Sequence, residues 1–406
     1  MSENTTTLPV YLDGHATSPL APEAEAAMAP WWHRRAANAH SPHRRGTEAA
    51  AAVEQARVEV ANLVGAAPQE IVFTSGATES NNIAILGIAD AADRAGDGRR
   101  EIIISAIEHK SVLSAAKSLE ERGFSVQVCP VGKDGRLDIL AFERLLSDQT
   151  LLVSVMAANN EVGTVQPIGA VLPMVRALGA MIHVDAAQLA GKLATDVADY
   201  DSASISSHKM YGPMGVGALF ISAAAQYRPR PLFHGGAQEA GLRPGTLPTP
   251  LIAGFGAAAK VAASRLEQDS VHVRALADRL VAGLEARQVR FRTNVPNEHQ
   301  LPGSLSLGLF GVDAPSLIDA LADTVCLSEG SACTSGQIQA SHVLAAIGFS
   351  EVEMRETIRI YCGRYNDVSQ IDYAATAIAD AVYRMTLAHW TNPPVRSAHE
   401  GCSHRF

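Results

Sequence analysis

The 406-residue chain is 47% hydrophobic and 18% charged with a formal charge of −9, ample for a large buried core in one or two domains. That acidic balance argues against a general nucleic-acid or anionic-membrane binder. No apolar run reaches the roughly 18 residues of a membrane span, and MSENTTTLPVYLD lacks the basic and apolar regions of a secretory leader. The five cysteines (Cys129, Cys326, Cys333, Cys362 and Cys402) are odd in number and form no C-x-x-C pair, which suits free thiols in a reducing compartment. A cytoplasmic globular protein is the expectation.

Taken in chain order, EAAAAVEQARVEVANLVG sets Val53, Ala56, Val60 and Leu63 at helical spacing and stops at Gly65. The short apolar run EIVFTS follows, then Gly76 and the helical ATESNNIAILGIADAADRAG. The alternation continues with REIIISAIEH before KSVLSAAKSLEERG, TLLVSVMAAN before PIGAVLPMVRALG, and then MIHVDAAQ. Strands alternating with helices predict an α/β domain with a mainly parallel sheet, whose strand-to-helix turns form the ligand crevice. After about residue 265 the character changes: SRLEQDSVHVRALADRLVAGLEARQ reads as a long amphipathic helix, followed by strand-like VRFRTN and GSLSLGLFG and a final helix near 368–390. The predicted organisation is a large domain over 20–264, a smaller α+β domain over 265–392 joined by residues 1–19, and a flexible Pro- and polar-rich tail over 393–406.

Several motifs carry chemistry. Gly212, Gly215 and Gly217 spell G-x-x-G-x-G, but strand-like residues follow them where a dinucleotide loop needs a helix, so they are read as a tight turn and a close backbone approach. In TSGATES, Thr78, Glu79 and Ser80 open a helix that either is capped in the ordinary way or holds a phosphate. HVDAAQ ends a strand on Asp185, and SSHK places Lys209, in a chain with few lysines, at a following strand edge. Aspartate, lysine and a phosphate-holding helix start together are what a pyridoxal phosphate site requires: the lysine bonds the cofactor and the carboxylate keeps its ring nitrogen protonated. Cys333 sits among small residues in SEGSACTSG, the setting of an accessible thiol, whereas Cys326 in DTVCL reads as core and Cys129 and Cys362 as structural. Arg359, in TIRIYCGRYN, is either a snorkelling edge residue or a bidentate clamp on a carboxylate. His399, Cys402 and His404 in the tail offer at most three metal ligands, and a plain tail is the preferred reading.

EIVFTSGATESNN, EHKSVL, NNEVGTVQPI, HVDAAQ, SSHKMYGP, RPGTLPTP, GSACTSG and IRIYCGR, in that order, resemble the cysteine desulfurases of the NifS/IscS type, in the class V aminotransferase family. The resemblance runs from residue 11 to about residue 390. It implies the fold-type I architecture, a mainly parallel seven-stranded sheet flanked by helices plus a smaller α+β domain, in a homodimer. It further implies that Lys209 bonds pyridoxal 5'-phosphate, that Asp185 partners the pyridine nitrogen, and that His109 stacks on the ring and moves protons. Asn160 and Gln188 would contact ring substituents, and Asn160, Arg359 and Asn38 the substrate. Ala77, Thr78, Ser206, His208 and Thr246 from the other subunit would hold the phosphate. Cys333 would take sulfur from L-cysteine as a persulfide, leaving L-alanine, and hand it to an acceptor protein for cluster, tRNA, DNA or cofactor thiolation.

The chain departs from the family's usual residues at Met214, Ala237, Ala240, Pro244, Ala39 and His40, which bears on acceptor docking more than on cofactor chemistry. Glu329 replaces a common serine, and a carboxylate close to Cys333 would disfavour its thiolate. Two rivals remain at this stage: a selenocysteine or C–S lyase of the same fold that releases free product, and a non-catalytic partner that keeps only the fold.

Overall fold

The computed structural model describes residues 8–330 and 341–391. Cys333 and the His399, Cys402 and His404 tail lie outside the described residues.

The alternating run at the sequence level becomes one seven-stranded sheet. Its strands are β2 (Ile71–Thr74), β3 (Glu101–Ser105), β4 (Ser125–Cys129), β5 (Thr150–Ser154), β6 (Met181–Asp185), β7 (Ser202–Ser206) and β8 (Gly217–Ile221), with β1 (Val10–Tyr11) elsewhere. The spatial order is β2-β8-β7-β6-β5-β3-β4, and only β8 runs against its neighbours. Both faces are covered. Ile103, Val153 and Ile182 enter one apolar core with the Arg44–Val64 helix, while Ile102, Ile104, Leu152 and Met181 enter another with the Ala77–Ala95 helix. Burial on both faces explains why EIII and LLV read as unbroken apolar runs. Each such side chain removed from water contributes about 1.5–3 kcal/mol.

Helix ends follow the sequence signals. Arg44–Val64 stops at Gly65 in the left-handed region (φ 71°), and Ala77–Ala95 stops at Gly96 (φ 75°), both donating their N–H back to helix carbonyls. The G-x-x-G-x-G stretch makes a close approach: a Cβ on Gly217 would meet Gly76 Cα and the Ile205 carbonyl oxygen, each at 2.6 Å. The turn after β2 is thereby pressed against β8, beside the end of β7.

The second part of the chain builds an antiparallel sheet from β9 (Phe291–Thr293), β10 (Ser304–Leu309), β12 (Ser328–Glu329) and β13 (Thr357–Tyr361), in the order β12-β13-β10-β9. A short parallel pair joins β1 to β11 (Val325–Cys326), and Leu12 enters the same core, so the N-terminal segment packs with this part. The long helix starts earlier than its amphipathic pattern suggests, running unbroken from Thr249 to Ala286. Its first half supplies Ile252, Phe255 and Ala262 to the large core, and its second half supplies Leu276, Leu280 and Leu284 to the small one. Gly256 interrupts the apolar pattern for a packing reason: a Cβ there would meet Ala56 Cα at 2.5 Å, so glycine lets the two helices touch.

Cys129 and Cys362 are enclosed, and burial pushes both thiols up to about 12. Cys326 is half-buried, less enclosed than a core reading implies, because it lies on a two-residue strand paired on one side by Tyr11. Among the described residues no helix is long and apolar enough to cross a membrane.

Candidate active site

The carboxyl ends of β2, β3, β5, β6 and β7 converge on a cavity of about 550 Å³. Ala77, Thr78, His109, Asn160, Asp185, Gln188, Ser206, His208, Lys209 and Arg359 all line it. Strand alternation and the loops that follow each strand end put these residues, more than 280 positions apart in sequence, around one volume.

Lys209 lies in the turn after β7 and donates from Nζ to the backbone oxygens of His15 and Ala16, at 2.5 and 2.7 Å. Burial and the nearby Arg359 charge lower its ammonium to about 8. A lysine near that value reaches its nucleophilic neutral form close to neutral pH. Asp185, the last residue of β6, accepts from Ala187 N–H on Oδ1 and from Asn81 Nδ2 on Oδ2. The same Asn81 nitrogen donates to Ser111 Oγ at 2.9 Å, and Ser111 Oγ lies 2.8 Å from His109 Nδ1. Ser111 N–H also points at His109 Nδ1 (3.1 Å), which makes that nitrogen an acceptor and leaves the ring proton on Nε2. Burial lowers the His109 pKa, consistent with that neutral ring. Beneath them His183, on the Asp185 face of β6, bridges Asn81 Oδ1 and Ser202 Oγ at 2.9 Å each. This buried network holds Asp185 and His109 in fixed orientations.

The Ala77–Ala95 helix begins on the cavity wall. Its N-cap, Gly76 (φ 151°), has no side chain to cap the first turn, so the N–H groups of Ala77 and Thr78 lack intrahelical partners. Of the two readings of TSGATES, ordinary capping fails. Glu79 is occupied elsewhere, accepting from Ser75 N–H and pairing with Arg243 at 2.9 Å. Free N–H groups at a helix start suit an anion.

Arg359 is 2% exposed on the central strand β13, which disposes of the edge reading. Its Nη2 pairs with Asp13 at 2.9 Å, its Nη1 donates to the Asn160 backbone oxygen at 3.2 Å, and its Nε is buried without a partner. The guanidinium therefore keeps unused donors in a cavity that holds Lys209.

Two expected residues lie elsewhere in the single chain. Asn38 is exposed and its side chain accepts from His40 N–H, capping a local turn away from the cavity. Thr246 is likewise exposed and off this cavity. Sequence reasoning missed Asp13, His15, Asn81, Ser111, His183 and Lys192. His183 had a signal, since it is two residues before Asp185 and so shares its face of the strand.

The class-V aminotransferase model matches residues 10–374. The cysteine desulfurase IscS of Rickettsia akari is 43% identical over 385 residues, covering 94% of this chain and 93% of that protein. This chain belongs to the class-V aminotransferase family, as a cysteine desulfurase of the NifS/IscS type. Among solved structures similar to this desulfurase, a NifS-like protein superposes with a TM-score of 0.85 at 34% identity, covering 93% of this chain and 100% of that one. SspA in complex with cysteine gives a TM-score of 0.76 at 36% identity, covering 88% and 100%. The desulfurase fold is thus the fold-type I one expected, and the enzymes of this family use pyridoxal 5'-phosphate. The residues present fit that cofactor: a lysine of lowered pKa, a strand-end carboxylate and an uncapped helix start stand around one cavity.

Proposed function

We propose that the chain is a cytoplasmic, homodimeric cysteine desulfurase that converts L-cysteine to L-alanine and carries the sulfur on Cys333 to an acceptor protein. The observation that carries this reading is the meeting of Lys209, Asp185, His109 and Arg359 around one cavity beside the uncapped Ala77 helix start. When bound, pyridoxal 5'-phosphate supplies an electron sink for bond changes at the substrate's α and β carbons. Lys209 would hold it covalently, and Asp185 would face its ring nitrogen. Ala77, Thr78, Ser206, His208 and Thr246 of the partner subunit would hold its phosphate.

The chain's own groups do the rest. Arg359, steadied by Asp13, grips the substrate carboxylate through its free donors, with Asn160 alongside. His109 presents Nε2 as the atom that exchanges a proton with substrate, since Nδ1 is occupied. The Cys333 thiol takes the substrate sulfur: the carbon–sulfur bond breaks, a sulfur–sulfur bond forms, and the carbon that loses sulfur gains a proton. Cysteine plus thiol thus become alanine plus persulfide, with no outside oxidant.

The test is product analysis of the loaded enzyme with L-cysteine and a thiol reductant. Alanine and sulfide should appear in equal amounts. Pyruvate and ammonia in place of alanine would identify a C–S lyase and overturn the proposal. Arg359→Lys should lower kcat/KM for cysteine by roughly 10–100-fold, one lost fork geometry, while the cofactor spectrum survives. Unchanged kinetics would show that the carboxylate is held elsewhere.

A further inference from the structure

Gln188 is 5% exposed, and three of its four hydrogen-bonding positions are already filled by protein. Its Oε1 accepts from Lys192 Nζ at 2.8 Å and lies 3.1 Å from His15 Nδ1. Its Nε2 donates to the His15 backbone oxygen at 3.0 Å. A side-chain amide has two acceptor positions and two donors. Gln188 is thus left with no acceptor and a single N–H, on a wall of the cavity that also holds Lys209. That N–H stands close to the lysine, because Lys209 Nζ and Gln188 Nε2 donate to the same His15 oxygen.

Lys192, the His15 ring and the His15 backbone oxygen set the orientation together. An amide flipped end for end would point its oxygen at the His15 backbone oxygen, an acceptor against an acceptor. His15 is fixed in turn: with Nδ1 donating to Gln188, its Nε2 accepts from Ser304 Oγ at 2.8 Å, and its ring packs on Tyr361 at 4.8 Å. Lys192 is only 7% exposed, and its Nζ lies 4.5 Å from the Tyr361 ring centroid. Neither Lys192 nor the His15 ring has another role in the reaction described above.

We propose that Lys192 and His15 are positioning residues that lock the Gln188 amide as an obligate single donor toward the cofactor, so that this wall accepts only an atom bearing a lone pair. The proposal rests on the reading of the cavity as a pyridoxal phosphate site, where the atom of that character beside the lysine is the ring's phenolic oxygen. Donation from Gln188 to that oxygen would stabilise its anionic form and so lower the affinity of the bound group for its proton. Loss of the donation raises the pH at which that proton leaves. Burial, with the Lys209 and Arg359 charges, lowers the Lys192 pKa well below the ordinary lysine value, and an amine in either protonation state still donates to Gln188.

The experiment is a spectroscopic pH titration of the pyridoxal phosphate-loaded protein, following the cofactor–lysine band at about 420 nm. Lys192→Met should move the midpoint upward by roughly half to one pH unit, the equivalent of one ordinary hydrogen bond. In a Gln188→Leu background the same substitution should add nothing, because Lys192 acts through that amide. If Lys192→Met fails to fold or load, His15→Ala removes the other donor to Oε1 and should raise the midpoint under the same non-additivity. A midpoint that stays put in a folded, loaded variant overturns the lock, as does a shift that persists in full in the Gln188→Leu background. Absence of the band from the wild-type protein would instead overturn the cofactor reading itself.

Discussion

Cys333→Ala should still respond to L-cysteine with a change in the cofactor spectrum, yet form alanine and sulfide only at background levels. In the proposed reaction, binding and the first proton transfers rest on Lys209, Arg359 and His109, which line the cavity and are untouched by the substitution. Removal of sulfur needs a thiol to receive it, and of the other cysteines Cys129 and Cys362 are enclosed with thiols raised to about 12. Such groups supply almost no thiolate at neutral pH. In wild-type protein given cysteine without reductant, mass spectrometry should find one added sulfur, about +32 Da, on the Cys333 peptide. Cys326→Ala should turn over nearly normally, since burial raises that thiol as well. Full alanine production by Cys333→Ala, or a persulfide mapped mainly to Cys326 or Cys402, would remove Cys333 from its role.

Lys209→Ala should abolish the band at about 420 nm and lower alanine formation by roughly 10³-fold or more, because the covalent hold on the cofactor proposed for Lys209 would be lost. Lys192, whose Nζ donates to the cavity-wall residue Gln188, is a substitute to consider. Its amine is committed to Gln188 and packed on the Tyr361 ring, so it does not replace Lys209. A borohydride-reducible linkage retained in Lys209→Ala, and mapped to Lys192, would reverse that assignment.

How far the sequence reaches is seen best at single residues. Asp185 and Lys209 were legible because one is the last residue of apolar β6 and the other lies in the turn just after β7, and the parallel sheet carries both of these ends to one edge. The long helix was half legible: its second half is amphipathic, whereas its first half is apolar nearly all round because it lies between layers. Arg359 left two readings open, since alternation with Ile358 and Ile360 fits an edge strand as well as a central one. The partners on either side, β10 and β12, decide the matter. Asp13 and His15 were silent, because they act across more than 170 residues of chain and precede any strong periodicity. Lys192 had a cue of the kind that singled out Lys209: the chain has only six lysines, and this one falls four residues after Gln188. The Asn81 and Ser111 links between Asp185 and His109 are side-chain geometry, with no signature in spacing alone.

The Thr249–Ala286 helix has a thermodynamic consequence. Because one rod is anchored in both cores, neither core can melt without exposing the half of the rod that it covers. The free energies of the two are therefore coupled, and heating the loaded protein in a calorimeter should give one endotherm where two independently stable lobes would give two.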